Sequence, residues 1–200
     1  MGFFDNVKKA GTKTKLQGEI ALLDREIAAV KREFGVTLFD ACAAGMTGSH
    51  TPALFNSNPE VQTSFEKYCN EVLTIQTNKD AKVKEIDHVE AKSDTRLPAT
   101  STQEKLGNFT KLVGESTHAT KLKAETALMD RNMKSKKEAF GTAVFDKVVL
   151  EAETLTGLKA VMSASSDKEI AKAIEAIKAK ISPIINKKDM KNREIQNLEN

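Results

Sequence analysis

Apolar residues recur along this chain at alternating intervals of four and three, the spacing of a single stripe on an α-helix. Leu16, Ile20, Leu23, Ile27, Val30 and Phe34 keep that interval. Val61, Phe65, Tyr68, Val72 and Ile75 keep it again, and Ile86 and Val89 resume it beyond Lys79 and Lys82. Ile170, Ile174, Ile177, Ile181 and Ile184 form another stripe, continued past Lys188 and Lys191 by Ile195 and Leu198. One more, through Leu122, Met129, Met133 and Phe140, is interrupted by Thr126 and Lys136. The pattern predicts long helices and no strands. Ser57-x-x-Glu60 and Ser166-x-x-Glu169 read as capping boxes, with Asn58 before Pro59 an equally good cap. Pro183 is expected to kink the last helix.

The stripes are related to one another. Residues 14–40 align without gaps to residues 120–146 with thirteen of 27 pairs identical, where unrelated chains share about two. Residues 57–90 align to 166–199 with ten identities in 34, and the offset rises from 106 to 109. The expected fold is all-α: an internal duplication of a long antiparallel helical hairpin, packed as a four-helix, coiled-coil-like bundle. An extended tandem of two hairpins is the alternative, and it leaves stripe open for a partner. The expected organisation is an N-terminal amphipathic segment at 1–13, hairpin copy 1 at 14–91, a polar linker at 92–105 containing Pro98, and hairpin copy 2 at 106–200.

Lysines occupy the seam where apolar residues are expected, at Lys79 and Lys82 and again at Lys188 and Lys191. If each hairpin folds on itself, Lys79 falls near Glu19 and Lys188 near Glu125, and these pairs are expected to fix register. Snorkelling of the lysines to solvent is the competing reading. Phe34-Gly35 and Phe140-Gly141 also recur between copies. Glycine inside a helix costs about 1 kcal/mol against alanine, so its retention suggests a close helix contact beside a packed phenylalanine. Leu16, Glu19, Leu22, Asp24, Arg25, Lys31, Phe34, Gly35, Phe39 and Asp40, repeated at 122–146, form a motif L-x-x-E-x-x-L-x-D-R followed by K-x-x-F-G-x-x-x-F-D. It resembles a motif of uncharacterised helical proteins of algae and protists. The resemblance implies no activity and adds no catalytic residue.

Composition removes most other classes. With 31 Lys+Arg against 28 Asp+Glu, no Trp, 10 Gly and 4 Pro, the chain is neither a histone-like polycation nor a β-sandwich or collagen. Cys42 and Cys69 form no C-x-x-C, which favours a reducing compartment, and no long apolar run predicts a membrane span. His50, His88 and His118 are scattered, and no phosphate-loop, dinucleotide or nucleophile-elbow motif occurs. The sequence therefore points to no enzyme, no cofactor, no metal site and no small-molecule substrate.

Two features are left for a partner. Phe3, Phe4 and Val7 beside Lys8 and Lys9 make a short amphipathic segment with basic flanks, which either anchors at a membrane interface or packs on the bundle end. Residues 120–137 carry six basic and two acidic side chains and residues 178–193 carry six and one. Pairing of these stretches would gather Lys134, Lys136, Lys137, Lys178, Lys180 and Lys187 into a basic end able to attract anionic headgroups; a solvated helical surface is the bland alternative. Nucleic acid is disfavoured, because no aromatic platform is interleaved with the lysines. The expected function is a non-enzymatic helical scaffold, cytoplasmic or peripherally attached to anionic membrane, with protein partners or self-association. In general design it resembles membrane-shaping proteins of the BAR and ESCRT-III kinds. A cytosolic coiled-coil adaptor without membrane affinity is the alternative, and a ligand-binding bundle or enzyme ranks third.

Overall fold

A computed structural model describes residues 3–46, 51–94, 102–150 and 167–199. Every element among them is helical: α1 (Phe3–Gly45), a short α2 (Ala53–Ser57), α3 (Pro59–Asp94), α4 (Thr102–Phe145) and α5 (Lys168–Glu199). A π-helical turn, Asp146–Leu150, follows α4 directly. The described chain is all-α, and none of its helices is long and apolar enough to cross a membrane.

Local chemistry sets the helix boundaries. Pro59 opens α3, and the Val61 N–H donates to the Asn58 carbonyl at 3.0 Å; proline suits the first helical position because its missing N–H would have no partner there. Ser57 ends α2 rather than capping α3, and Ser166 lies outside the described residues. Asp167, fully buried just ahead of α5, accepts the Ala53 N–H at 2.8 Å and so ties the start of α2 to the start of α5. α5 runs unbroken through Pro183, so the expected kink does not end the helix. No boundary falls at residue 13, since α1 is continuous from Phe3. Much of the expected linker at 92–105 is helical, with α3 reaching Asp94 and α4 starting at Thr102.

The chain forms two compact units, Met1–Glu66 with Lys137–Asn200, and Lys67–Lys136. In the first, α1 and α5 run antiparallel: Lys13 meets Glu199 at 2.5 Å, Glu19 meets Lys191, Asp24 meets Lys188 at 2.6 Å and Glu33 meets Lys180 at 2.7 Å. Leu16, Phe34 and Leu38 of α1 are buried in this unit, as are Ile170, Ile174, Ile177, Ile181 and Ile184 of α5. Beside them Phe39, Phe55, Phe65 and Phe140 pack with ring centroids 5.0 to 5.8 Å apart. In the second unit α3 and α4 run antiparallel. Lys79 meets Asp130 at 2.6 Å, Lys82 meets Glu125, Glu85 meets His118 at 3.0 Å and Glu90 meets Lys123 at 2.6 Å.

This pairing corrects the expected hairpins. Within copy 1, α1 and α3 touch beside their turn, where the Phe39 and Phe65 rings lie 5.0 Å apart. Farther along, α1 takes α5 and α3 takes α4. Glu19 therefore binds Lys191 instead of Lys79, and Glu125 binds Lys82 instead of Lys188. The physical reason is that Lys79 and Lys82 have the same spacing as Lys188 and Lys191, and Glu19 and Asp24 nearly the same surroundings as Glu125 and Asp130, so each helix meets the same complementarity on either candidate partner.

Candidate interaction surface

The thirteen residues shared by 14–40 and 120–146 separate into two groups by burial and by ion pairing to another helix. Eight of them, Leu16, Glu19, Asp24, Lys31, Phe34, Gly35, Phe39 and Asp40, are engaged in packing or ion pairs. Their contacts recur at the offset positions. Lys31 donates to Asp146 at 2.8 Å while Lys137 donates to Asp40 at 2.6 Å. Phe34 meets Phe145 edge-on at 5.8 Å while Phe140 meets Phe39 at 5.7 Å. Lys31 also sits over the Phe145 ring at 4.6 Å and Lys137 over Phe39 at 5.5 Å, where the ring face attracts a cation.

At the centre of this set the backbones of α1 and α4 cross at Gly35 and Gly141. A Cβ on Gly35 would lie 2.7 Å from the Gly141 Cα, and one on Gly141 would lie 2.8 Å from the Lys31 carbonyl oxygen. No side chain fits there, so glycine is required by the close approach rather than by backbone conformation. The helix-propensity penalty of two glycines is accepted because the crossing brings Phe34, Phe39, Phe140 and Phe145 into one core.

The ion pairs depress the carboxylates they hold. The Lys191 ammonium hydrogen-bonded to Glu19 keeps that carboxyl below its ordinary value, Lys82 does the same for Glu125, and Lys136 for Glu71. Reciprocally, Glu71 raises Lys136 and Glu19 raises Lys191. Burial, with a smaller push from Asp167, raises the Cys42 thiol to about 12, which makes it a core atom and not a nucleophile.

Five identities hold no ion pair to another helix among the described residues: Thr14, Lys15, Ala21, Leu22 and Arg25, matched by Thr120, Lys121, Ala127, Leu128 and Arg131. Lys15 reaches only Glu19 of its own helix, at 4.0 Å, and Thr14 and Thr120 bond the carbonyls four residues before them. All ten residues are exposed. At 100° per residue, Thr14, Ala21, Leu22 and Arg25 fall on the side of α1 opposite the seam of Leu16, Leu23 and Ile27. Leu22 is 61% exposed and Leu128 is 54%. Around them the aligned positions differ. Gln17 stands against Lys123, Glu26 against Asn132, Ala28 against Lys134, and Arg32 against Glu138, a reversal of charge. Packing explains the eight; it does not explain the five. Asp24-Arg25 and its repeat were visible as a shared pair in the sequence, but only sorting the identities by burial and ion pairing separates Arg25 from its neighbour, which serves the seam.

The other expected residues lie elsewhere. Phe3, Phe4 and Val7 belong to α1, but their side chains lie outside the described residues; Lys8 is exposed and Lys9 half-buried. The expected basic end is corrected. Residues 120–136 pair with α3 and residues 178–193 with α1. Lys136 is held by Glu71 at 2.7 Å, Lys137 by Asp40 and Lys180 by Glu33. Lys134 and Lys187 are exposed and Lys178 is half-buried. The pairing has placed Lys136, Lys137 and Lys180 on carboxylates.

Among the described residues no three His, Cys, Asp or Glu gather as a metal-ligand set. A cleft of about 360 Å³ opens between α3 and α4, lined by Val89, Leu112, Glu115 and Ala119. Its Glu90 and Lys123 are paired with each other at 2.6 Å. No protein-family model matches this chain, and neither a curated protein nor a solved structure matches it.

Proposed function

We propose that this protein is a duplicated helical unit acting as a non-enzymatic scaffold, in which each copy presents one docking face to a protein partner. The observation that carries this reading is the retention of Lys15, Ala21, Leu22 and Arg25, and of their counterparts, on exposed helix surface where neighbouring positions have diverged. Lys15 and Arg25 are ten residues apart, about 15 Å along the helix at 1.5 Å per residue. Ala21 and Leu22 lie between them. A segment with an apolar anchor flanked by carboxylates complements that arrangement, so the partner chemistry is an acidic amphipathic helix. One such face is small, and two faces per chain raise the avidity for a partner that carries two acidic segments.

A designed peptide, a helix with a central leucine flanked by glutamates, tests the reading by amide-shift mapping on the ¹⁵N-labelled protein. Shifts should centre on residues 15–25 and 121–131. The variant Leu22→Ser, Arg25→Glu, Leu128→Ser, Arg131→Glu should lose them while keeping its circular dichroism. Shifts confined to other surfaces, or undiminished in that variant, would reject the face. Anionic vesicles serve as the second arm: membrane binding that survives in the variant would reassign the function to a lipid surface.

A further inference from the structure

We propose that two copies of this chain pair by exchanging halves, each half being complementary to a half of the second chain. Each of the matched contacts described above joins a residue before position 95 to one after position 101. The Lys79–Asp130 pair in one unit has its counterpart in Asp24–Lys188 in the other, and Gly35 opposes Gly141. The rule by which residue i meets j while the copy of j meets the copy of i is the rule of a two-fold interface. Here it operates inside one polypeptide. Nothing in the contacts themselves distinguishes the second half of the same chain from the second half of another. The occupant of each half is thus either its own chain or a second copy, through the same ion pairs and the same glycine crossing. Covalent connection raises the effective concentration of the internal partner to roughly the millimolar range. The single-chain form wins in dilute solution, and the exchanged dimer gains when chains fold together at high concentration.

The experiment uses the full chain. Equal amounts of ¹⁵N-labelled and unlabelled protein are unfolded, mixed, refolded at high concentration and fractionated by size with light scattering. A species of twice 21.9 kDa with unchanged helical content is expected. Carbodiimide coupling should then join Lys79 to Asp130 in peptides with one heavy and one light partner, present in the dimer and absent from the monomer. A charge test adds direction. Chains with Glu19→Lys and Asp24→Lys repel their own α5, and chains with Lys188→Glu and Lys191→Glu repel their own α1. Mixed together, they regain all four pairs only by exchange, so refolding the mixture should double the mass relative to either variant refolded alone. The proposal is overturned if the mixture stays at the masses of its separate components, or if dimers yield only heavy–heavy and light–light cross-links.

Discussion

Replacing Gly35 by alanine adds one methyl group where α1 and α4 cross. The new Cβ would stand 2.5 Å from the Lys137 carbonyl oxygen and 2.7 Å from the Gly141 Cα, backbone atoms that no rotamer change can move. Restoring an ordinary carbon contact of 3.5–4.0 Å requires the helices to part by about 1 Å. That displacement loosens Phe34 from Phe145 and Phe39 from Phe140. Overpacking of this kind costs about 1–3 kcal/mol, while alanine in place of a helical glycine returns about 1 kcal/mol. The internal control is Gly18→Ala, in the same helix, where nothing lies within 4 Å of the added Cβ; there only the gain applies. Far-UV circular dichroism melts should therefore give opposite signs, at about 2–4 °C per kcal/mol for a chain of this size. Gly18→Ala should raise the midpoint and Gly35→Ala should lower it or leave it below the control. Combining Gly35→Ala with Gly141→Ala should cost less than the sum, because the first methyl has already parted the helices. Equal stabilisation by Gly18→Ala and Gly35→Ala would refute the close crossing.

Other consequences can be measured on the same protein. Phe140→Ala removes a fully buried ring from the phenylalanine cluster and should lower stability by about 3–5 kcal/mol in a urea titration; a loss below 1 kcal/mol would show that the ring is not in the core. Glu19, Glu71 and Glu125 carry lowered pKa values, so their contribution is complete above the ordinary carboxylate value of about 4.3 and drains away as pH falls further. Lys136 and Lys191 carry raised values, so theirs is complete below about 10.4 and is lost on going higher. Midpoint-against-pH curves should fall at both extremes, with a shallower acid limb in the triple variant Lys82→Met, Lys136→Met, Lys191→Met; an unchanged acid limb contradicts the pairing. Native protein at pH 8 should react with a maleimide at Cys69 well before Cys42, which is buried with its thiol pushed up to about 12. Denaturant should abolish that difference, and equal native rates would contradict the burial.

The seam was legible in the sequence because it rests on one-dimensional spacing. Ile170, Ile174, Ile177, Ile181 and Ile184 are all buried, and the lysines at 79, 82, 188 and 191 all meet carboxylates. Retention of Gly35 and Gly141 signalled a close approach, and the two glycines oppose each other. The choice of partner helix was not legible. A stripe records which side of a helix is buried, and where two segments carry the same stripe the same side fits either. The observed register puts Glu19 on Lys191, three residues from Lys188 and so within one helical turn of the expected one. The proposed docking face breaks no pattern in the sequence: Ala21, Leu22 and Arg25 look like ordinary surface until the burial of their neighbours shows which identities packing accounts for.

Zero-length carbodiimide coupling of the wild-type protein, followed by peptide mass mapping, reads the partner exchange directly, since it joins only lysines already in contact with carboxylates. The expected links in the monomer are Lys191 to Glu19, Lys188 to Asp24, Lys82 to Glu125 and Lys79 to Asp130. Links from Lys79 or Lys82 to Glu19 and Asp24, with Lys188 or Lys191 joined to Glu125 and Asp130, would mean that each copy folds on itself, and would contradict the exchange of helices on which this account stands.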